Sequence, residues 1–486
     1  MPRLSRRSFV KQSIAAGLGT SLAINTSMTF GDVRGANDTI NVGVAGIHGR
    51  GGAHIDAFAK MDKVRVTQLI DPDTRLFKGR VAFVEEKGGN TPECFQDVRK
   101  ALEDKTLDAL AIATPNHWHS LMTIWACQAE KDVYVEKPLS HNVFEGRQAV
   151  KAARKYNRVV QHGTQQRSDQ GRANEIAGIH GGGYGKLLVA KGYCCKPRWS
   201  IGFKPVSEPP EDVDFDLWLG PAPAQPYHGN LVHYNWHWFW DTGNGDMGNQ
   251  GVHQMDVALW GIKDGTLPKS VWSLGGRWVE GEGYKDQGET PNMELSVFDF
   301  GEAKIVFETR GLVGKSLTEE GKKFPSNVSN EFYTTEGMIK DGWLYPKNGG
   351  EKVKVEGKAE ITGGGTFAAF IAAMRTRKRE DNNADVEIAH HSSAICHLGN
   401  ISYRLGKQVP WTTRPDALGN DKEAIESFEL IKENLEGIGI DLTDMSYQLG
   451  PVLKFDPVTE KFIDNDEANA LLTREYRAPY VVGDEV

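Results

Sequence analysis

Cysteine is scarce in this chain: the 486 residues include only Cys94, Cys127, Cys194, Cys195 and Cys396. Their odd number and wide scatter argue against a disulfide framework, and their spacing matches no common zinc motif. We therefore expect most of them to be buried core thiols, and we predict no metal site.

Long basic runs are also missing. The formal net charge is -8 at pH 7, although residues 1–30 carry four basic residues, Arg3, Arg6, Arg7 and Lys11. An acidic chain of this kind is poorly suited to bind nucleic acid or an anionic lipid surface. The remaining composition, 39% hydrophobic and 9% aromatic, is typical of a folded protein, and the length indicates two or three domains.

The first 35 residues differ from the rest of the chain. Ser5-Arg6-Arg7-Ser8-Phe9-Val10-Lys11 precedes a weakly apolar stretch from Ser13 to Phe30, which is similar to a twin-arginine export signal. The stretch contains Ser, Thr, Gly and Asn, so it would span a membrane poorly. We predict export of the folded chain by the twin-arginine machinery to the periplasm or another extracytoplasmic compartment, with no membrane span in the mature protein. The alternatives are a frayed basic terminus and a membrane anchor.

Short apolar runs alternate with helical patterns between residues 38 and 165. The predicted strands are 40–45, 64–70, 107–114, 132–135 and 158–161. The predicted helices between them are 54–61, 121–129 and 144–156. This alternation predicts an α/β fold with a parallel, doubly wound sheet, the Rossmann arrangement that binds dinucleotides.

The pattern of predicted elements changes in residues 166–415, where strands follow one another without helices between them. Predicted strands at 186–193, 269–279, 293–300 and 304–309 are separated by turns, which indicates an α+β domain with a mainly antiparallel sheet. Two late helices are predicted at 367–378 and 388–405. The polar, acidic segment 416–486 is treated as a C-terminal extension to which the sequence assigns no role.

A glycine-rich turn, Gly46-Ile47-His48-Gly49-Arg50-Gly51-Gly52, follows the first predicted strand. Glycines here let the backbone approach a pyrophosphate at a helix N-terminus, although His48 stands where the usual G-x-G-x-x-G pattern has its second glycine. Asp71 ends the second strand, where a carboxylate accepts hydrogen bonds from the ribose of NAD and repels the extra phosphate of NADP. The sequence therefore favours NAD, bound by Gly46, His48, Gly49, Arg50, Gly51 and Asp71.

Three further stretches connect the chain to a known family. They are Thr114-Pro115-Asn116-His117-Trp118-His119, Val133-Tyr134-Val135-Glu136-Lys137-Pro138, and the glycine-rich segment 243–256, which ends in His253-Gln254-Met255-Asp256. With them the chain resembles the glucose-fructose oxidoreductase, inositol dehydrogenase and MocA (Gfo/Idh/MocA) family over residues 38–410. The resemblance implies a Rossmann domain, a second domain with a large open-faced sheet, a homo-oligomer that covers this sheet, and hydride transfer between NAD(P) and a sugar or polyol.

The resemblance also implies roles for single residues. Lys137 would lie near the nicotinamide ribose and the substrate, and His253 would be the acid/base residue. The cofactor cleft would be formed by Thr114, Pro115, Asn116, His119, Glu136, Lys137 and Gln165. Arg167 would bind substrate where the second domain meets the cofactor. Many family dehydrogenases carry Asp four residues before the histidine, whereas this chain has Asn249, which we count with the catalytic residues although it removes the charged pairing.

These groups suit hydride removal from a carbon that bears a hydroxyl. A neutral His253 can take the hydroxyl proton near pH 7, and the Lys137 ammonium can stabilise the developing alkoxide. The aromatic segment 234–241 can pack against sugar rings, so we predict that Trp236, His237 and Asp241 bind substrate; the alternative is a core or interface role.

Three functions are compatible with these features. The first is an exported NAD(P)-dependent oxidoreductase that acts on the carbinol carbon of a sugar, polyol or glycoside and holds its cofactor tightly. The second is a glycosidase that uses transient oxidation at C3, elimination of the aglycone and return of the hydride. The third is a carbohydrate-binding protein without catalysis.

Overall fold

The computed structural model describes residues 38–279 and 284–486. The predicted export signal, residues 1–35, lies outside the described residues. All five cysteines are unpaired thiols, and four of them are buried. Within the described ranges, no helix combines the length and the apolar character that a membrane span requires.

The first domain is built on a six-stranded parallel sheet. Its strands are β1 (Ile40–Ala45), β2 (Val64–Ile70), β3 (Glu93–Phe95), β4 (Ala109–Ile112), β5 (Asp132–Val135) and β6 (Val160–His162). They lie in the order β3-β2-β1-β4-β5-β6, so the direction of winding reverses between β1 and β4. Dinucleotides bind at such a reversal, outside the carboxyl ends of the strands. The Rossmann prediction is confirmed.

Helices cover both faces of this sheet. They are α1 (Arg50–Ala59), α2 (Phe77–Gly88), α3 (Val98–Ala101), α4 (Asn116–Gln128) and α5 (Val143–Lys155). The sequence did not reveal α2, because Val84 is its one fully buried side chain and an apolar period is therefore missing. The apolar faces of α1, α4 and α5 pack against the Val- and Ile-rich strands and form one core on each side of the sheet.

The second domain contains a twelve-stranded sheet. Its strands are β7 (Leu187–Cys195), β8 (Ser270–Gly276), β9 (Met293–Asp299), β10 (Lys304–Arg310), β11 (Asn327–Thr334), β12 (Gly337–Lys340), β13 (Trp343–Pro346), β14 (Val353–Lys354), β15 (Lys407–Pro410), β16 (Ser446–Leu449), β17 (Leu453–Asp456) and β18 (Lys461–Phe462). The main path is β14-β13-β12-β11-β7-β10-β9-β8-β16-β15, and β17 joins β8 to β18. Only the β7–β10 pair is parallel among these described strands, which confirms the mainly antiparallel prediction.

The remaining helices are α6 (Gln170–His180), α7 (Phe215–Leu219), α8 (Val252–Gly261), α9 (Thr366–Thr376), α10 (Val386–Arg404), α11 (Lys422–Gly437) and α12 (Asp466–Ala470). Helices α8 and α10 contribute to the core on one face of the second sheet, whereas α9 packs on the first domain. Helix α11 packs on the other face through Phe428, Ile431 and Leu435. The C-terminal extension thus adds strands to the sheet and covers part of the face that the oligomer prediction left for another subunit. The homo-oligomer stays a prediction.

Candidate active site

A cavity of about 470 Å³ opens at the carboxyl edge of the first sheet. Gly46, Asp71, Ala113 and Glu136 line it, and each directly follows a strand, β1, β2, β4 or β5. Sixteen predicted site residues share this lining: Gly46, His48, Gly49, Arg50, Asp71, Thr114, Pro115, Asn116, His119, Glu136, Lys137, Gln165, Trp236, His237, Asn249 and His253. We refer to it as the large cavity.

The glycine turn brings backbone close to the cavity wall. Gly46 has a φ of +80°, and an added Cβ would lie 2.6 Å from the Ala113 carbonyl oxygen. A Cβ on Gly51, which lies beneath the turn and not in the lining, would meet the Gly46 oxygen at 1.9 Å. A Cβ on Gly49 would point into open space. Helix α1 begins at Arg50 without a side-chain cap or an acidic residue in its first turn, so its amide end suits a pyrophosphate.

Asp71 is held at the end of β2 by two backbone amides. Its carboxylate accepts hydrogen bonds from the N–H of Ile47 at 2.9 Å and of Asp73 at 3.0 Å. Burial raises the pKa of Asp71 to about 6, although these hydrogen bonds act in the opposite direction. At pH 7 the group is mostly ionised, and it is oriented as an acceptor for ribose hydroxyls.

His119 ties two segments of the cavity wall together. One ring nitrogen lies 2.6 Å from the Pro138 carbonyl oxygen and the other 2.9 Å from the Thr114 carbonyl oxygen. Burial lowers the pKa of His119, although both hydrogen bonds oppose the shift. His119 therefore fixes the positions of Thr114 and of the Lys137-Pro138 segment.

Glu136 is buried beside two basic side chains. Its Oε1 accepts hydrogen bonds from Arg50 Nε at 2.7 Å and lies 3.0 Å from His54 Nε2. Burial alone would raise the pKa of Glu136, but the hydrogen bond with His54 and the charges of His54, Arg50 and Lys137 outweigh it and hold the pKa well below its usual value. The carboxylate therefore stays charged and anchors Arg50 at the cavity wall.

Lys137 is held by Asn249 across the cavity. Its Nζ donates to the Asn249 carbonyl oxygen at 2.9 Å and to Asn249 Oδ1 at 3.3 Å. Asn249 lies in a turn of π-helix, Met247–Gly251, that leads into α8, and such turns are frequent at functional sites. Burial lowers the pKa of Lys137, although the charges of Glu136 and Asp246 oppose the shift.

His253 lies one turn after Asn249, in the first turn of α8, and lines the same cavity. Burial and then the neighbouring Lys137 charge lower its pKa to about 3. The imidazole is therefore neutral throughout the physiological range. The neutral His253 imidazole and the Lys137 amino group thus line the same cavity.

Two family models match this chain. The model described as the NAD-binding Rossmann fold of the Gfo/Idh/MocA oxidoreductase family matches residues 40–164, and the model of that family's C-terminal alpha/beta domain matches residues 186–273. Two stretches of the chain thus match the two domain models of the Gfo/Idh/MocA oxidoreductase family. At the level of these domain models, the predicted family and the predicted NAD cofactor are confirmed.

Individual relatives agree with this assignment. The chain is 30% identical over 169 residues to a glycosyl hydrolase family 109 protein of Shewanella pealeana. This match covers 31% of this chain and 37% of that protein. The chain is also 29% identical over 163 residues to an inositol 2-dehydrogenase of Rubrobacter xylanophilus. This match covers 33% of this chain and 45% of that protein. The matches thus span less than half the length of these curated relatives.

A solved structure shares the fold over most of the described chain. The WlbA dehydrogenase of Bordetella pertussis, in complex with NADH and UDP-GlcNAcA, aligns with a TM-score of 0.53 and 18% identity, over 74% of this chain and 95% of that one.

Two residues that the family resemblance or the aromatic segment suggested for substrate binding lie elsewhere. Arg167 is buried in an ion pair with Asp256, with Nε–oxygen distances of 3.0 and 3.1 Å, and its guanidinium lies over the Trp260 ring. Asp241 lies at the exposed mouth of another cavity. Neither residue lines the large cavity, because Arg167 is held by a partner that it gains only on folding and Asp241 lies past the end of the segment that reaches this cavity. Their roles in substrate binding stay predictions.

The sequence did not predict that segment 206–240 forms a wall of the large cavity at its nucleotide end, which is the end beside the Gly46 turn and Asp71. We call this segment the cover segment. Leu217, Trp218 and His233 of this segment line the large cavity. The backbone of Asp212 accepts a hydrogen bond from Thr74 N, and Asp214 N donates to the Pro72 carbonyl, both at 3.0 Å. No local motif marks these contacts.

His233 also contacts the glycine turn directly. Its ring stacks on His48 with centroids 4.2 Å apart, and its Nε2 lies 2.8 Å from Asp73 Oδ2. The histidine that replaces the second glycine of the motif is therefore the contact point of the cover segment. In the described ranges no group of three His, Cys, Asp or Glu side chains could hold a metal ion.

Proposed function

We propose that this protein is an exported oxidoreductase that transfers hydride between a retained NAD and the carbinol carbon of a sugar, polyol or glycoside. The observation that carries the proposal is the joint placement of Lys137, Asn249 and His253 in the lining of the cavity that begins at the Gly46 turn and Asp71. A dinucleotide that starts at Asp71 and passes the amide end of α1 would reach toward these three side chains.

The residues at the nucleotide end suit NAD independently of the residues at the catalytic end. The backbone packing at Gly46, the open space beside Gly49 and the uncapped start of α1 leave room and N–H groups for a pyrophosphate. The Asp71 carboxylate suits the ribose hydroxyls and disfavours the additional phosphate of NADP. When bound, the nicotinamide ring supplies the hydride acceptor or donor.

The residues at the other end supply the proton chemistry. His253 is neutral, so it can accept the proton of a substrate hydroxyl while hydride leaves the adjoining carbon. The Lys137 ammonium, oriented by the two Asn249 oxygens, stabilises the charge that develops on that oxygen. Trp236 and His237, stacked at 3.6 Å, form an aromatic wall suited to the C–H face of a sugar ring.

The cover segment supports a retained cofactor. It lines the nucleotide end through Leu217 and Trp218 and is bonded to the first domain at Pro72, Thr74 and Asp73. Release of a nucleotide requires these contacts to loosen. A retained cofactor suits an enzyme outside the cytoplasm, to which the predicted twin-arginine signal would direct it.

A second candidate is the redox-neutral glycosidase. Asn249 in place of a carboxylate and the similarity to glycosyl hydrolase family 109 proteins favour it. In this reaction hydride leaves C3, the C2 proton becomes acidic, and the aglycone departs from C1 by elimination with loss of the C2 proton. Water then adds at C1 while C2 is reprotonated, and hydride returns to C3. The cycle forms no net NADH.

One experiment separates these functions. The protein is isolated from the periplasmic fraction and denatured, the released nucleotide is identified, and the native protein is then incubated with free sugars and aryl glycosides. NADH formation from a free sugar supports the oxidoreductase, and aglycone release without net NADH supports the glycosidase. Absence of nucleotide, together with no turnover of either substrate class when NAD is added, contradicts both.

A further inference from the structure

A second cavity, of about 230 Å³, lies outside the proposed active site. In the described part of the chain it shares no lining residue with the large cavity. Four exposed residues form its mouth: Asp241, Arg404, Ala470 and Thr473. Its floor includes the buried polar residues His141, Asn244, His397 and Asn400.

The floor is rich in buried polar atoms without partners. Both ring nitrogens of His141, which is only 9% exposed, have no hydrogen-bond partner among the described residues. The same holds for His397 Nδ1 and Asn400 Oδ1. A buried polar atom without a partner has lost its hydrogen bonds with water and gained none in return, which destabilises the fold. These four atoms belong to residues that line one cavity, so a polar molecule there with matching donors and acceptors would relieve this cost.

The surrounding contacts hold this floor in place. Asn244 Nδ2 donates to the His141 carbonyl and Asn400 Nδ2 donates to the Asn244 carbonyl, both at 3.0 Å. Asn116 Nδ2 donates to Asn244 Oδ1 at 2.9 Å. The amide groups of the floor are thereby oriented, so the free Asn400 oxygen is a fixed acceptor.

Charges at the cavity are balanced. Arg474 Nη1 donates to the Asp241 carbonyl oxygen, its Nη2 has no partner among the described residues, and its Nε lies 3.7 Å from Glu145 Oε1. Arg404 interacts with the Asp241 carboxylate. Burial, followed by the charge of Arg474, lowers the pKa of His141 well below its usual value, so its ring is neutral. Each arginine thus has an acidic neighbour, and an added anion would face carboxylates.

The free groups are a mixture of donors and acceptors. A neutral imidazole presents one of each, the Asn400 oxygen accepts, and the Arg474 guanidinium donates. Hydroxyl groups, which both donate and accept, satisfy such a set, and Trp240 adds an aromatic side chain to the wall. The volume of about 230 Å³ equals that of roughly eight liquid water molecules, the scale of one sugar ring. We propose that this cavity binds an uncharged, polyhydroxylated molecule the size of a monosaccharide, separately from the large cavity.

The test uses the whole protein with its retained nucleotide. Crystals are soaked with D-glucose, D-galactose or N-acetyl-D-glucosamine, and the same sugars are titrated by calorimetry. We expect density for at least one sugar against His141 and Asn400. Ala470→Trp, which fills the exposed mouth, should weaken this binding by about tenfold or more. Ala82→Trp, the matched change on the exposed face of α2, should leave it unchanged.

A second variant separates binding from folding. His141→Phe keeps the ring but removes both unpartnered nitrogens, so the variant should have a higher Tm and no sugar bound in this cavity. The proposal is wrong if ordered water alone fills the cavity in every soak, or if inorganic phosphate binds there in preference to all three sugars. It is equally wrong if Ala470→Trp leaves binding unchanged, or if His141→Phe binds sugar as the parent protein does.

Discussion

The two ends of the large cavity are built in different ways. At the nucleotide end, Gly46 and Asp71 each directly follow a strand of one sheet, so backbone geometry places them. At the catalytic end, Lys137 meets Asn249, a residue 112 positions later that belongs to the second domain. The glycine turn and Asp71 are thus placed by one domain, whereas the catalytic end forms only when the two domains pack together.

The catalytic end should give the largest effects on rate. We expect His253→Ala and Lys137→Met each to lower kcat by about 10²–10⁴-fold, or about 3–5 kcal/mol, because each removes a group that acts on the substrate oxygen. Nucleotide content after purification should be unchanged, since the Gly46 turn and Asp71 are intact. Steady-state kinetics and absorbance of released nucleotide give the two values.

Lys105→Met is the matched control for the lysine change, because Lys105 is exposed and lies in the lining of neither cavity. It should retain full kcat. Parent-level turnover by both active-site variants would contradict the roles given to Lys137 and His253.

The glycine turn provides the complementary experiment. Gly46→Ala places a Cβ 2.6 Å from backbone atoms at a positive φ, so both the Tm and the nucleotide content should fall. Gly49→Ala places its Cβ in open space, where a pyrophosphate would lie, so the Tm of the nucleotide-free protein should hold while NAD binding weakens. Differential scanning calorimetry and nucleotide analysis distinguish the two variants. Equal behaviour of both would contradict the proposed position of the pyrophosphate.

The difference between residues placed by local motifs and residues placed by domain packing explains how much of the site the sequence could predict. Gly46, Asp71 and Lys137 sit in local motifs that directly follow buried strands, and strand boundaries are visible as short apolar runs. Arg167 and Trp218 could not be assigned in this way. Arg167 pairs with Asp256, 89 residues away, and Trp218 accepts a hydrogen bond from His117, 101 residues away. Such pairings depend on the domain packing and leave no periodic signal in the chain.

The cover segment joins the two ends and should control how long the nucleotide stays bound. His233→Ala removes the stack on His48 and the contact with Asp73. An aromatic pair contributes about 0.5–1.5 kcal/mol, so NAD should dissociate roughly three to ten times faster. Stopped-flow or filtration measurements of NAD release give the rate, and His228→Ala in the same segment is the control, since His228 lies outside the cavity lining. Unchanged release from His233→Ala would show that the segment does not retain the cofactor.

The smallest effect at neutral pH, and the most informative about the catalytic end, is expected from Asn249→Asp. Burial lowers the pKa of Lys137, so its ammonium form, and with it kcat/KM, should be lost at a pH below the usual lysine value of 10.5 as the pH rises. A carboxylate at position 249 favours the charged form and raises the pKa of Lys137, by about 1–3 units for an opposite charge this close. The alkaline limb of the kcat/KM profile should therefore move upward, while the acid limb shows no break near 6.5, because the pKa of His253 is about 3. An alkaline limb that stays in place in Asn249→Asp would mean that Lys137 is not the group whose deprotonation ends activity, and the catalytic end would need a different cation.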